Sequence, residues 1–454
     1  MIYQTFKRTA KKYPNKVALI CGDKSYTYSA LVKSIDGLIA VLSTAVMPGE
    51  RILFASDRWH NYVRMVLACD ALGVTFMPTY YDLPKAVIDT IVNVSNPDHI
   101  ILNEQDAEAM KPHNKGLVCV KRKQYTYTVL FTSGTTGEPK AVSHSNNACY
   151  DACTQNIDLY NMNADDVILA QLPPPTIAGL YLYPLPALMC GATVVMEAFN
   201  PRRYADLNIE HKPTVGIIVP AMIVAMSKVR SWHNLDMSHW RELSVGSTVI
   251  PEEMLQLLFD KGVPVIRDLY GCTETHVPPF TYLIKPDTKH KLQLECTPNY
   301  KYRLDRYGMM WIKGTPLMTG YLNADAEFDE LGYWCTGDVF EVQHNKLFYK
   351  SRAKDLIKVN SYNVSPVSIE NAIMVFPNIE EVCVTFRSRD LGECEIVALI
   401  NCSEEINISE LKISIKDKLF PYEIPKEIII IHEPLVRNRM GKIQREQNRE
   451  KYVT

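Results

Sequence analysis

Short apolar runs that alternate with helical patterns constrain this chain most. Between residues 15 and 110, Val17–Cys21, Arg51–Ala55 and Thr75–Met77 are apolar and strand-length, while Tyr28–Leu42 and Asn61–Leu72 repeat apolar residues at helical spacing. Gly49 and Gly73 stand where helices would hand over to strands. That alternation implies a parallel or mixed α/β layer. At 454 residues, the chain has length for roughly two or three structural units and a large core.

The pattern continues down the chain. A polar, charged stretch over residues 104–123 predicts a surface helix and connector. Asn146–Tyr160 reads as a helix, Val215–Val219 as a strand, Pro220–Val229 as a helix and Glu242–Val245 as a short strand. Pro251–Asp260 predicts an amphipathic helix, with proline in the first turn and Glu252 and Glu253 placed to suit its dipole. Val263–Ile266 predicts a strand running into a turn at Asp268–Glu274. From Lys285 to Tyr321, short strands between turns predict a small β unit, and a strand pair follows around Asn345–Lys346. The charge cluster Lys350–Asp355 is the candidate linker. Beyond it, helices at Ile369–Met374 and Leu411–Leu419 and strands at Val382–Phe386, Glu395–Ile400 and Ile428–Ile431 describe a compact α+β domain.

Gln171–Met196 carries no charged residue, which raises the question of a membrane span. Prolines 173–175, 184 and 186 and glycines 179 and 191 would break a spanning helix, so a buried helix followed by a strand at Ala192–Met196 is expected. The 49 Lys plus Arg balance 51 Asp plus Glu, leaving no field for nucleic acid or an anionic membrane. The twelve cysteines include no C-x-x-C pair, and Cys149 and Cys153 are spaced to share a helix face. Residues 1–14 lack the apolar stretch of a secretion signal. Free thiols in a reducing cytoplasm follow.

The chemistry concentrates at residues 131–140, Phe-Thr-Ser-Gly-Thr-Thr-Gly-Glu-Pro-Lys. The strand-like run Tyr125–Phe131 precedes this loop and Ala141–Ser143 follows it. Glycines let backbone N–H groups approach an anion, hydroxyls add donors, and Lys140 supplies charge, so polyphosphate is the natural ligand. Lys140 is outside the G-x-x-x-x-G-K-[ST] frame of a Walker loop. By itself the loop could equally be a polar hairpin with turn-forming glycines.

Taken with Asp268–Glu274, Thr336-Gly337-Asp338, Arg352 and Met440-Gly441-Lys442-Ile443, the loop resembles the phosphate loop of the adenylate-forming superfamily. That superfamily comprises acyl- and aryl-CoA synthetases, luciferases and peptide-synthetase adenylation domains. The resemblance spans about Phe6 to Arg445 and keeps the family's motif order. It implies a large N-terminal domain of layered α/β subdomains plus the small β unit (1–351), a hinge (352–354) centred on Lys354, and a small mobile α+β C-terminal domain (355–454).

The resemblance also implies roles. Thr132, Ser133, Gly134, Thr135, Thr136, Gly137 and Lys140 would hold the ATP β- and γ-phosphates. Gly246, Ser247, Asp268, Leu269, Gly271 and Cys272 would line the nucleotide site, Tyr270 would stack on adenine, and Thr273 would touch the α-phosphate. Glu274 would bind Mg²⁺, a hard cation that wants carboxylate and phosphate oxygens. Asp338 would accept the ribose hydroxyls, a strong role for an ionised carboxylate, with Arg352 beside it. Lys442 would bridge carboxylate and α-phosphate as charge develops. Pocket walls for the acid would come from Thr176, Ile177, Ala178, Tyr181, Val219, Val245, Gly246, His276 and Val277.

The implied reaction has two halves. A carboxylate attacks the α-phosphorus of ATP in line, giving acyl-AMP and pyrophosphate, and a thiol then takes the acyl group after the small domain rotates. The thiol would be CoA or the phosphopantetheine of an acyl-carrier protein. Pro174–Gly179 lacks the aspartate that amino-acid activators use to pair an ammonium, and burying that charge unpaired is costly. An uncharged aryl or acyl acid is therefore expected. The chain departs from the family at Ala141, Ser351 and Ser361, where glycine is usual, and shortens the stretch 278–314. Those departures bear on thiol transfer and leave two alternatives: an enzyme that loads a carrier protein or an amine, and a nucleotide-binding pseudo-ligase.

Overall fold

The computed structural model describes residues 1–102, 126–132, 139–246, 250, 252–288, 293–344, 346–359, 362–388, 394–402, 404–416, 418–438 and 442–453. Local chemistry sets the helix ends. Thr27 accepts a hydrogen bond from the Ala30 N–H and starts the helix Tyr28–Leu42, and Ser145 accepts from Ala148 to start Asn146–Leu159. Asn200 caps Pro201–His211, whose proline occupies the first turn. The helix Trp59–Leu72 is buried on most of its surface and ends at Gly73, whose φ of +70° returns its N–H to the Cys69 carbonyl.

Thirteen strands form one sheet. Six of them are mutually parallel and lie in the order Ile266–Tyr270, Glu242–Gly246, Val215–Ile218, Val167–Ala170, Thr193–Met196, Val17–Cys21. Beyond Ile266–Tyr270 the pairing turns antiparallel through Phe280–Ile284, Gln293–Cys296, Lys346–Arg352, Trp334–Gln343, Met309–Gly314 and Tyr300–Leu304. The short strands expected as a separate β unit thus extend the large sheet. A second, six-stranded sheet runs Gly320–Tyr321, Lys140–Ser145, Thr126–Thr132, Thr75–Pro78, Arg51–Phe54, His99–Ile101. One continuous core joins the two sheets through the helices between them, including Phe6, Tyr28, Ile35, Val66, Leu67 and Tyr181.

After Arg352 a single 3₁₀ turn, Ala353–Asp355, leads into a segment with its own core of Ile369, Ile373, Val384, Ile396 and Leu411. There the strands Ile379–Ser388, Cys394–Cys402 and Glu427–Ile431 form a three-stranded sheet, packed by the helices Pro366–Met374 and Ile408–Lys416. An exposed Lys228–Glu380 ion pair at 3.1 Å links this segment back to the large body.

Two expectations change. The strand placed at Val263–Ile266 begins instead at Ile266 and runs to Tyr270. Pro264 has no N–H to give a ladder, and the parallel register pairs Leu243 with Ile266 and Gly246 with Leu269. Asp268, Leu269 and Tyr270 therefore belong to a strand, and the turn starts at Gly271. The uncharged segment is not one helix. It forms a π-helical turn, Ile177–Tyr181, then a seven-residue helix, Pro184–Cys190, then the strand Thr193–Met196. No helix among the described residues is long and apolar enough to cross a membrane.

The π-helical turn is fixed by one residue at each end. Thr176 donates its hydroxyl to the Pro173 carbonyl and accepts from the Gly179 N–H. Gly179 lies so close to that same carbonyl that an added Cβ would fall 1.9 Å from its oxygen. Gly37, by contrast, sits exposed in the helix Tyr28–Leu42 with nothing within 4 Å of an added Cβ. Gly179→Ala should therefore destabilise the protein by about 1–3 kcal/mol through overpacking. Gly37→Ala should stabilise it by about 0.5–1 kcal/mol. Urea unfolding midpoints at unchanged slope check both, and equal effects would refute this account of Gly179.

Candidate active site

The candidate residues gather where a parallel sheet offers them. Ligands of such sheets bind beyond the carboxyl ends of the strands. Thr176–Tyr181 follows the strand Val167–Ala170, Val219 follows Val215–Ile218, Gly246 closes Glu242–Gly246, and Gly271–Val277 follows Ile266–Tyr270. These four strands are consecutive neighbours, so the four segments share one edge. Gly246 permits the closeness of its neighbour, since an added Cβ would sit 3.2 Å from both the Cβ and the carbonyl oxygen of Leu269. Asp268 and Val245 are buried, and Leu269 is half-buried.

The hairpin that carries the phosphate-loop sequence comes from the second sheet. Thr132 and Lys140 are cross-strand partners at its open end. Ser133, Gly134, Thr135, Thr136 and Gly137 lie outside the described residues, as do Ser247 and Ser361. Asn323 clamps the base of the hairpin, accepting from the Ala141 N–H at 2.9 Å and donating to the Pro139 carbonyl at 3.0 Å. The Lys140 ammonium stands 4.7 Å over the Tyr321 ring, and the Tyr321 hydroxyl donates to Glu274 at 2.9 Å. One aromatic ring thus joins the loop lysine to the candidate metal carboxylate.

Two further bonds tie the turn to the hairpin and to the segment leading into the strand Gly320–Tyr321. Nε2 of His144, on the hairpin strand, lies 2.9 Å from the Thr273 carbonyl, and the Met318 N–H donates to the Glu274 carbonyl at 2.8 Å. Inside the turn, Thr275 Oγ1 accepts from the Cys272 N–H and donates to the Cys272 carbonyl. Gly271 has the Pro278 backbone 3.3 Å from any Cβ it might carry.

At Asp338, the expected ribose acceptor, the Tyr270 hydroxyl donates to Oδ2 at 2.5 Å, and Arg352 Nε lies 3.4 Å from Oδ1. Asp338 and Arg352 are register partners on adjacent strands, which fixes their approach. Burial holds the Asp338 carboxyl above its ordinary range, opposed by Arg352 and Tyr270. Its Oδ1 is buried with no hydrogen-bond donor among the described residues, an acceptor left for a ligand hydroxyl. The Tyr270 ring packs edge-on to Phe340 at 5.0 Å and tilted to Tyr349 at 6.0 Å.

Lys442 arrives from the other side of the Arg352–Asp355 turn. Arg445, three residues on, pairs with Glu370 and donates to the Val384 carbonyl, and Glu370 also accepts from the Val384 N–H at 2.7 Å. That knot holds the base of the lysine segment. Lys442 is exposed as a residue, yet its ammonium is crowded by protein, and this crowding and then the Arg352 charge lower its pKa to about 8 against the pull of Asp338 and Asp355. Lys354 is lowered as well, by burial and by the charges of Arg352 and Lys140, against Asp355. Four cations from three chain segments therefore feel one another around Asp338 and Asp355. Such a surplus calls for an anionic ligand.

A metal fits at Glu274 only in company. Among the described residues no group of three or more His, Cys, Asp or Glu side chains could hold one. A cation there would take the remaining oxygens from phosphate and water, the usual arrangement for Mg²⁺. The acid-side residues come together at Tyr181, whose ring lies 4.6 Å from that of His276, with Val277 buried beside it. Thr176, Ile177 and Ala178 are half-buried along the same segment, and Val219 is buried.

Sequence reasoning missed His144 and Tyr321. His144 had a usable signal, since it stands four residues past Lys140 on one strand and so shares its face. Tyr321 had none, because its link to Glu274 spans two sheets.

Residues 6–322 match the family model described as "AMP-binding enzyme". The chain is 29% identical to the indoleacetate–CoA ligase of Aromatoleum aromaticum, over 98% of this chain and 96% of that protein. Its fold superposes on ATP-bound MatB from Rhodopseudomonas palustris with a TM-score of 0.86 at 20% identity, covering 100% and 99% of the two chains. O-succinylbenzoate CoA synthetase (MenE) from Bacillus subtilis, in complex with ATP and magnesium, gives 0.86 at 21% identity, covering 98% and 99%.

The lowered pKa of Lys442 has a direct consequence if its charge is used. Adenylation kcat/KM should fall as pH rises above about 8 and the ammonium loses its proton. Arg352→Gln removes a like charge, so the pKa of Lys442 rises and the alkaline limb moves to higher pH. A limb that stays in place in Arg352→Gln would refute the assignment.

Proposed function

This chain belongs to the AMP-binding enzyme family, and from that premise we propose that it is an AMP-forming acid–CoA ligase. It joins a carboxylic acid to AMP with release of pyrophosphate, then passes the acyl group to the thiol of CoA. The observation that carries this reading is the gathering of Arg352, Lys354 and Lys442 about Asp338 and Asp355, with Lys140 close enough for Lys354 to feel its charge. A site with that cation surplus suits a triphosphate and the negative charge that grows on the α-phosphate as the carboxylate attacks. The similarity to CoA ligases along nearly the whole chain supports the thiol step.

Thr132 and Lys140 hold the outer phosphates at the hairpin mouth, with Ser133, Gly134, Thr135, Thr136 and Gly137 between them. Tyr270 and the strand-end residues Gly246, Asp268 and Leu269 flank the base, and Gly271 and Cys272 begin the turn beneath it. Thr273 and Glu274 face the α-phosphate, where bound Mg²⁺ would supply charge neutralisation. Asp338 Oδ1 accepts from the ribose, steadied by Arg352. Lys442 draws carboxylate and α-phosphate together, which is mainly a matter of positioning.

Chain segment 352–354 is the hinge of this reading. It is one short turn between two separately cored bodies, so rotation there would withdraw Lys442 and open a path for the thiol. The walls Thr176–Tyr181, Val219 and Val245–Gly246 carry no charged side chain, which favours an uncharged aryl or acyl acid. The described cysteines are all free thiols, in keeping with a reducing cytoplasm.

Acid-dependent exchange of pyrophosphate with ATP across a panel of carboxylic acids tests the first half, and CoA consumption tests the second. Exchange with some acid, followed by a CoA thioester, is expected. No exchange with any acid would leave a nucleotide-binding protein, and a thioester formed only on a carrier protein would move the acceptor. Lys442→Ala should lower adenylation by about 10²–10³-fold while leaving thiolation of supplied acyl-AMP largely intact. Equal loss in both halves would show that Lys442 does something else.

A further inference from the structure

His276 is placed at a conformational cost and then left without hydrogen bonds. Its φ is +61°, a region uncommon for L residues, though histidine, like asparagine and aspartate, enters it more often than the rest. The Val277 N–H donates across it to the Thr275 carbonyl at 2.6 Å. An i to i+2 bond over a positive φ is the rarer, strained form of the γ-turn. Its neighbours hold the turn in place, since Thr275 is tied to Cys272 and its carbonyl accepts from Tyr300. Strain of this kind persists where the surroundings over-determine it, and it clusters at ligand-binding positions.

The imidazole that this turn projects is fully buried, and neither ring nitrogen has a hydrogen-bond partner among the described residues. Two bare nitrogens in a dry interior are an expense that a folded protein rarely leaves standing. Beside it, 4.1 Å away ring to ring, lies His144. The Thr273 carbonyl can only accept, so His144 carries its proton on Nε2, and its Nδ1 is a bare acceptor. That nitrogen is also buried without a partner among the described residues. The Tyr181 ring closes the other side at 4.6 Å. The pair therefore sits between the turn bearing Thr273 and Glu274 and the segment Thr176–Tyr181, where the acid is read.

We infer that His276 and His144 form a specificity subsite for an aromatic acid bearing an uncharged hydrogen-bond donor, a ring N–H or a phenolic O–H. The inference rests on the ligase reading and names its acid. A neutral imidazole offers one acceptor nitrogen, so the pair presents two acceptors and at most one donor hydrogen. A donor on the ligand satisfies them, and the flanking Tyr181 ring and Val277 suit an aromatic body. Both rings are fully buried, and an imidazolium buried without a counter-charge would be costly, so the neutral forms are the ones that count here. A second carboxylate would be buried there without a counter-charge, which disfavours diacids.

Matched acids in the pyrophosphate exchange assay test this on the unmodified enzyme. Indole-3-acetate is compared with benzothiophene-3-acetate, and 4-hydroxyphenylacetate with 4-fluorophenylacetate, each pair differing in the donor. In at least one pair the donor acid should be favoured by about 100-fold or more in kcat/KM, as sites built to bond a hydrogen-bonding group reject the analogue lacking it. His276→Leu should collapse that preference to within about fivefold, since it removes both nitrogens and keeps the bulk. If His276→Leu fails to fold, His276→Asn, which tolerates positive φ and keeps one acceptor, should narrow the preference only in part. No donor preference in either pair, or a preference surviving in His276→Leu, overturns the inference while the ligase reading stands. Absence of exchange with every acid overturns both.

Discussion

The Arg267 guanidinium and the Glu242 carboxylate are buried together on neighbouring parallel strands, 2.5 and 2.9 Å apart, and the site depends on the register they enforce. A slip of one strand by one residue would put the two side chains on opposite faces of the sheet and strand a charge without its partner. Arg267 also donates to the Leu159 carbonyl and lies over the Tyr160 ring, which ties the strands to the helix behind them. With the register held, Gly246 comes level with Leu269, and Tyr270 is delivered at the sheet edge to meet Asp338. The chemistry sits at the ends of strands whose alignment is settled several residues away.

Around that edge the molecule gathers charge that it does not neutralise. Asp338 has one oxygen committed to Tyr270 and the other near Arg352 but without a hydrogen-bond donor among the described residues, while Lys140, Lys354 and Lys442 approach from the hairpin, the strand end and the C-terminal segment. Repulsion among those cations opposes the closed arrangement in the absence of ligand, and an anion relieves it. Occupancy of the site and closeness of the C-terminal segment are therefore coupled by electrostatics alone, before any specific contact is considered. The Arg445–Glu370 knot gives that coupling a stiff base, since the lysine segment cannot drift without breaking a half-buried, charged bond.

Much of the fold was legible because it is local. Helical patterning announces Tyr28–Leu42 and Asn146–Leu159, Gly73 announces a stop, and the strand Val17–Cys21 is a short apolar run. The nucleotide motifs were legible for a related reason, because each is a contiguous string whose chemistry can be read in place. What escaped is non-local. Ile266–Tyr270 was misjudged because its strand character comes from Leu243 and Ile284 on its two sides, while its own residues mix charge and aromatic groups. The joining of the small β unit to the main sheet depends on pairings among residues far apart in sequence. Tyr321 reaches Glu274, and His144 reaches Thr273, across 47 and 129 positions. His276 was a candidate from position alone; its strain and its bare nitrogens are properties of the folded turn.

The contact between Gly179 and the Pro173 carbonyl decides where the proposed acid pocket can be redesigned. Any attempt to retrain the enzyme toward a new acid would begin with the residues between Thr176 and Tyr181, and position 179 admits no side chain at all. Diversity belongs at Ile177 and Ala178, which are half-buried, and at Val219 and Val245 on the neighbouring strands. Thr176 should be spared as well, because its hydroxyl serves both ends of the turn. A combinatorial library that respects those two fixed points searches side chains on a backbone that stays put.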